Sequence, residues 1–451
     1  MITVRVPVLF GLLGGVAVAA SSLLAVSPWP WLLVTFGLIA LLATVDAVVA
    51  ASPGEVRLSR SGPQQVRLGD SATVILEVTN GSLRPLRGIV RDAWVPSAGA
   101  TGPYAHSVDL DPGETATIET TLTPTRRGDR PAVRVSIRSH GPLGLAFRQT
   151  TRRRADRITP PWTLRALPPF TSRRFLPEKL SRLRVIDGQV LTRGRGQGTE
   201  FDSLRDYVTG DDVRSIDWRG TARRERLVVK TWRPERDRRV LCVLDTGRTS
   251  AGRITGLAGG KGDAGEPRLD SAIDAALLLA ALASHADDRV DLLAVDTVTH
   301  ASVSSSGKRT LLPKLTDAMA PLQPSLVETD FGRVVSEVLS IERKRALVVL
   351  FTTLDPGALG EGLLPVLPQL VARHTVIVAA VHDPALDALA TSRGGAATLH
   401  TAAAAERALA ELRRVRSALS RYGVHVVDAP AETFASAVAD KYLDLKAAGR
   451  L

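Results

Sequence analysis

The sequence predicts a multidomain, membrane-associated chain with two N-terminal transmembrane helices, an antiparallel β-sandwich and a C-terminal α/β Rossmann-like domain. Three observations carry that prediction. Two long apolar runs fill the first 51 residues, a stretch after residue 55 alternates apolar and polar residues, and from Arg239 onward apolar strands alternate with helical segments. A chain of 451 residues has room for two or three cores. The expected boundaries are 1–54 for the anchor, 55–157 for the sandwich, 158–238 for a linker and a polar signature segment, and 239–451 for the α/β domain.

Val6 to Val26 and Trp29 to Ala51 are split by Ser27-Pro28. Each would span about 30 Å as a helix, enough for the hydrocarbon core of a bilayer. A cleaved signal peptide is the alternative for the first run, but a second run of full length follows at once, and the pair reads as a hairpin. Trp29 and Trp31 stand at the turn, where interfacial aromatics are expected. Arg5, Arg57 and Arg60 flank the pair and the turn has no basic residue, so the positive-inside rule places both ends and the soluble domains in the cytoplasm. Asp46, about one turn from the exit, is expected to reach the interface or a helix partner.

In the second segment Val74, Leu76 and Val78 alternate with Thr73, Glu77 and Thr79, and Val133, Val135 and Ile137 alternate with Arg134, Ser136 and Arg138. Asn80-Gly81, Asp111-Pro112-Gly113 and Arg127-Gly128-Asp129 supply the turns. Short strands at this spacing predict an antiparallel sandwich, with Asn80 a turn residue. Residues 158–192, rich in Pro and Arg, read as a surface connector.

Strands are expected at Val240–Leu244, Val290–Val295, Leu347–Phe351, Thr375–Val381 and Val424–Val427, with helices at Leu269–His285 and Ala402–Arg421. Near-continuous apolar strands between helices imply a parallel sheet covered on both faces. Ligands of such sheets bind at the carboxyl ends of the strands, where Asp245 falls.

The most unusual segment runs from Gly196 to Arg223. Glu200, Asp202, Asp206, Asp211, Asp212 and Asp217 are interleaved with Arg205, Arg214, Arg219 and Arg223, and Tyr207 and Trp218 supply apolar anchors. Three roles are open to it. Arg–carboxylate forks would make it a structural clamp against the sheet, its surface could serve a partner, or its acids could form a metal-dependent hydrolytic site. The Gly194, Gly196 and Gly198 spacing follows no apolar strand and is not a dinucleotide fingerprint.

This signature, with the strand Val240–Asp245 and the residues to Thr249, resembles a bacterial family known as domain of unknown function fifty-eight. The resemblance implies a von Willebrand factor A-like domain and a MoxR-type AAA+ ATPase as partner. In A-type domains the first strand ends in Asp-x-Ser-x-Ser, a later loop gives a Thr and another strand ends in Asp, together holding a divalent ion such as Mg²⁺ or Mn²⁺. The corresponding motif here is Asp245-Thr246-Gly247-Arg248-Thr249, so Gly247 lacks one hydroxyl and Thr249 keeps the other. The usual acid position is Thr353, the nearest acid is Asp355, and no loop Thr stands out. The resemblance thus implies a degraded metal set of Asp245, Thr249 and Asp355, with a metal-free structural role as the alternative. Asp270 is expected either as a ligand or as a helix N-cap.

The 58 basic residues against 46 acidic give a net charge of +12, concentrated between Arg126 and Arg239. A solvated face, an anionic lipid surface and a nucleic acid are the candidate partners of that charge, and with 4% aromatic residues nucleic acid is not expected. Cys242, the only cysteine, excludes a disulfide framework, and the histidines lack zinc spacing. The expected function is a membrane-anchored, non-enzymatic adaptor. The alternatives are a hydrolase using the acidic 200–217 segment and a basic scaffold for lipid or nucleic acid.

Overall fold

The computed structural model describes residues 1–24, 27–193, 200–233, 238–254, 265–304 and 307–451, without the side chains of 187–193, 200–202, 231–233 and 308. The Gly194–Gly198 run lies outside the described residues. The chain forms two compact units, Met1–Leu167 and Pro168–Leu451.

In the first unit, helices α1 (Arg5–Leu23) and α2 (Trp29–Val49) are long and apolar enough to cross a membrane, with mean hydropathies of 2.0 and 2.4. They pack on each other, Phe10 edge-on to Phe36 with ring centroids 6.0 Å apart. Most of their large side chains, Leu12, Val16, Leu33 and Leu41 among them, stay exposed. Asp46 is buried, and its described hydrogen bonds go to the β-domain. Its carboxylate accepts the backbone N–H groups of Leu143 (2.7 Å), Leu145 and Ala146 (both 2.8 Å). Three donors satisfy an acid that would otherwise be costly at this position. Gly141 is required beside it, since a Cβ there would lie 2.3 Å from the carboxylate. Thr3 donates its backbone N–H to Leu145 O, so both ends of the helical hairpin are tied to one turn of the β-domain.

That β-domain is a sandwich of a four-stranded and a six-stranded sheet. Leu76, Val78 and Ile118 of the first sheet meet Leu86, Val90, Val135 and Ile137 of the second in its core, while Thr73 and Glu77 face solvent. The alternation is the sheet period seen directly. Asn80 is fully buried at its turn, donating to Arg84 O and Leu110 O. The connector begins later than residue 158. Thr163–Leu167 is a sandwich strand, parallel to Gln65–Arg67 and antiparallel to the long strand Gly128–His140.

In the second unit, the signature forms a hairpin of β1 (Glu200–Asp206) and β2 (Val228–Arg233) around the short helix α3 (Trp218–Arg224). The six-stranded sheet has the order β5 (Thr299–Val303), β4 (Arg289–Val295), β3 (Arg239–Asp245), β6 (Leu347–Phe351), β7 (Thr375–His382), β8 (His425–Pro430). All neighbours are parallel except the edge strand β5, which the sequence reading did not anticipate. Alternate residues of β3 serve opposite cores. Val240, Cys242 and Leu244 pack with Leu277, Ala280, Val438 and Leu443, whereas Leu241 and Val243 pack with Val334, Val338 and Leu419. This two-sided burial makes the strand continuously apolar and gives the unit a doubly wound, von Willebrand A-type architecture. Asp270 stands in the first turn of the helix Arg268–His285, whose N-cap is Pro267, so Asp270 is not the cap.

Candidate functional site

The central strand β3 ends between β4 and β6, and three polar residues follow from that adjacency: Asp245, Asp296 just after β4, and Thr352 just after β6. Asp245 is only 1% exposed. Its Oδ1 accepts from Gly247 N at 2.8 Å and from Thr329 Oγ1 at 2.5 Å, and its Oδ2 accepts from Thr249 Oγ1 at 3.1 Å and Thr352 Oγ1 at 2.6 Å. Four donors on a buried carboxylate constitute a complete first layer of hydrogen bonds. Thr329 is the loop threonine that did not stand out in the sequence. It lies 84 residues from Asp245, in a stretch with no motif of its own.

A second buried carboxylate fixes the same loop. Asp296 accepts from the Ser325 hydroxyl, from Val298 N at 3.0 Å and from His300 Nε2 at 2.7 Å. Burial alone would raise its pKa, but the Ser325, Val298 and His300 donors outweigh that and hold it well below the usual carboxylate range. Ser325 N donates to Thr246 O at 2.7 Å and Arg248 N to Val327 O at 2.8 Å, which closes loop 325–329 over the strand end. Held this way, the rim leaves Leu326 80% and Val298 50% exposed.

The donor set can be tested against a divalent ion. Two oxygens bound cis to one Mg²⁺ at about 2.1 Å stand about 3.0 Å apart. Here Thr329 and Thr352 lie at 2.5 and 2.6 Å from the Asp245 oxygens, drawn together as hydrogen-bond partners. A Cβ added at Gly247 would lie 2.1 Å from Thr329 Oγ1, so the threonine hydroxyl fills the space that the missing serine of the A-type motif would need. Asp355 is not part of the cluster in any described contact, its Oδ1 accepting Ala358 N at 2.8 Å as a turn cap. Thr353, at the usual acid position, carries a buried hydroxyl with no partner among the described residues. No group of three or more His, Cys, Asp or Glu that could hold a metal occurs among the described residues. In this arrangement Asp245 and Thr249 belong to a hydrogen-bonded lock that orders loops, and Asp355 caps a separate turn.

The signature residues come together elsewhere, as a self-supporting hairpin. Arg205 pairs with Asp211 at 2.6 Å, Arg226 with Asp206 at 3.2 Å and Lys230 with Asp217 at 3.7 Å. Asp212 accepts from Arg214 N and caps a short turn, and Asp217 accepts from Arg219 N and Gly220 N and caps α3. The Gly220 N–H, before Lys230 and Arg219 N, lowers the Asp217 pKa. Tyr207 is half-buried and its backbone N–H pairs with Leu227 O at 2.9 Å. Trp218, expected as an anchor in the interior, is instead 65% exposed, and Arg214 and Arg223 are exposed. The side chains of Glu200 and Asp202 lie outside the described residues. The contacts named here close the segment on itself.

Residues 203–425 match the family model described as protein of unknown function DUF58. These residues belong to that family. The match takes in the signature hairpin and the sheet as far as the start of β8. No curated protein matches the chain. Among solved structures it is similar to the VWA domain of SpRpn10, at 13% identity over 45% of this chain and 94% of that one, with a TM-score of 0.26. It is also similar to Escherichia coli alpha-2-macroglobulin from domain MG7 to the C-terminus, at 18% identity over 26% of this chain, with a TM-score of 0.21. A FixG-related protein from Vibrio parahaemolyticus matches at 9% identity over 25% of this chain and 96% of that one, with a TM-score of 0.17. The chain spans 17%, 6% and 7% of the three alpha-2-macroglobulin chains it matches. The fold assignment rests on the sheet order itself.

Proposed function

We propose that this DUF58 protein is a membrane-anchored, non-enzymatic adaptor whose A-type domain binds a MoxR-type AAA+ ATPase during envelope or protein-complex maturation. In this reading α1 and α2 cross the membrane, and both soluble units stand in the cytoplasm. The observation that carries it is the use made of the two buried carboxylates. Asp245 and Asp296 spend their oxygens on ordering loops, and the ordered rim presents apolar Leu326 and Val298 to solvent. Fixed loops with exposed apolar tips suit recognition, because a preordered rim loses little entropy on binding. A hydrolase needs carboxylates with free oxygens converging on substrate, and Asp211 and Asp217 instead accept from ion-pair partners and backbone N–H groups.

The test is purification of full-length protein from its native membrane in mild detergent, with nucleotide and Mg²⁺ supplied, beside Leu326→Glu. A MoxR-type ATPase travelling with wild type and reduced with the variant is the expected result. Absence of the ATPase from wild type would remove the adaptor reading. Turnover of a phosphoester or peptide by the purified protein, lost in Asp211→Asn without unfolding, would put the hydrolase in its place.

A further inference from the structure

The arginines of the signature hairpin fall into two groups. Arg205 and Arg226 are spent on Asp211 and Asp206, while Arg214, Arg219, Arg223 and Arg224 are exposed and make no ion pair among the described residues. The helix α3 arranges part of the second group. At about 100° per residue, Trp218, Ala222, Arg219 and Arg223 fall within one arc of about 140°. All four are exposed. The opposite face is the packed one, where Gly220 lies against Leu204 and Thr221 Oγ1 accepts Val228 N at 3.1 Å. Val213, 61% exposed, adds apolar surface just before the helix. The scaffold beneath is fixed by the Asp217 cap and by the Ile216–Val229 bridge.

We propose that this face of the hairpin, Trp218 with Arg219 and Arg223, is a docking surface for an acidic, apolar-spiked segment of a partner protein. The inference rests on the adaptor reading and adds a second contact, apart from the Leu326 rim, whose chemistry it names. Arg and Trp are the residue types that concentrate binding energy at interfaces, and unpaired guanidiniums favour a carboxylate-bearing partner. A lipid surface fits less well. Asp212 and Glu225 are exposed within the same patch, and a uniformly anionic sheet would repel them, whereas a discrete segment can pass between them. A nucleic acid would need more stacking platforms than one exposed tryptophan.

The experiment uses full-length protein in phosphatidylcholine nanodiscs and a labelled peptide of glutamates with leucine and phenylalanine at helical spacing. Arg219→Glu/Arg223→Glu should weaken peptide binding at least about tenfold, and Trp218→Ala by a comparable factor. The matched control Arg413→Glu/Arg414→Glu, on the exposed face of a distant helix, makes the same charge change and should leave binding within about twofold. Thermal unfolding unchanged in both pairs shows that the fold is intact, as expected for exposed side chains. Equal binding by wild type and the hairpin pair, or equal loss in the control pair, overturns the proposal. So does a hairpin-pair loss seen for phosphatidylglycerol vesicles or a thymidine oligonucleotide but not for the peptide. ATPase capture separates this from the parent reading. If wild type captures the ATPase but wild type and the hairpin pair bind the peptide equally, the adaptor stands and this surface is wrong. If wild type captures none yet binds the peptide through the hairpin, the surface stands and the adaptor is wrong.

Discussion

Gly247→Ala tests the closed lock at the end of the central strand. The backbone there has φ −77° and ψ −171°, which any residue adopts, so the substitution carries no conformational penalty of its own. The cost is steric. The new Cβ would lie 2.1 Å from Thr329 Oγ1 and 3.0 Å from Val327 O, so loop 325–329 must shift and Thr329 must leave Asp245. Overpacking costs about 1–3 kcal/mol, and losing a hydrogen bond to a buried carboxylate about 1.5–3 kcal/mol. Some of each is recovered by relaxation, giving an expected loss of roughly 2–5 kcal/mol. Hydrogen exchange of peptides covering 240–250 and 325–335 reports the local opening free energy, avoiding a two-state assumption for a two-unit chain. Thr329→Ala removes the obstructing hydroxyl. Gly247→Ala should therefore cost at least about 1 kcal/mol less in that background than in wild type. Additive effects of the two substitutions would refute the claim that Thr329 occupies the serine space.

Three further outcomes follow from the same structure. Full-length protein titrated with Mn²⁺ should show no stoichiometric ion by electron paramagnetic resonance; a bound ion abolished by Asp245→Asn would show that the lock opens to metal. Lys446 is buried with Asp288 (3.0 Å) and Tyr442, so Lys446→Met should lower the opening free energy of the helix Ala431–Ala447 by about 3–5 kcal/mol in hydrogen exchange because Asp288 loses its buried counter-ion, and a neutral effect would contradict that role. His374 is buried with neither ring nitrogen bonded among the described residues, and burial lowers its pKa. The unfolded chain then binds a proton at about pH 6.5 that the folded one refuses, so stability present above that pH falls as pH drops, by at most about 1.4 kcal/mol per unit. His374→Leu should flatten the slope between pH 7 and the lowered folded value; an unchanged slope would assign it to other groups.

Local chemistry and periodicity were enough to find the apolar helices, the alternating sandwich strands and four of the five parallel strands nearly to the residue. Each of these is a pattern within a few neighbouring residues. The edge strand β5 was not legible, because Thr299-His-Ala-Ser-Val303 is half polar and is made a strand only by pairing with β4. The same holds for Thr163–Leu167, which lies between prolines and is ordered by two partners distant in the chain.

At the site, the sequence by itself placed Asp245 and Thr249 at a strand end, since an apolar run stopping at an acid needs no tertiary information. It could not tell that Thr329, Thr352, Asp296 and Ser325 complete the lock. Those residues come from separate loops whose meeting depends on the order of β4, β3 and β6 in the sheet. Nor could it tell that Asp206, Asp211, Asp212 and Asp217 bond within the hairpin and that Trp218 is exposed. Which carboxylates keep free oxygens, and which side chains keep free surface, is set by partners far apart in sequence. That pairing is what only the tertiary structure decides.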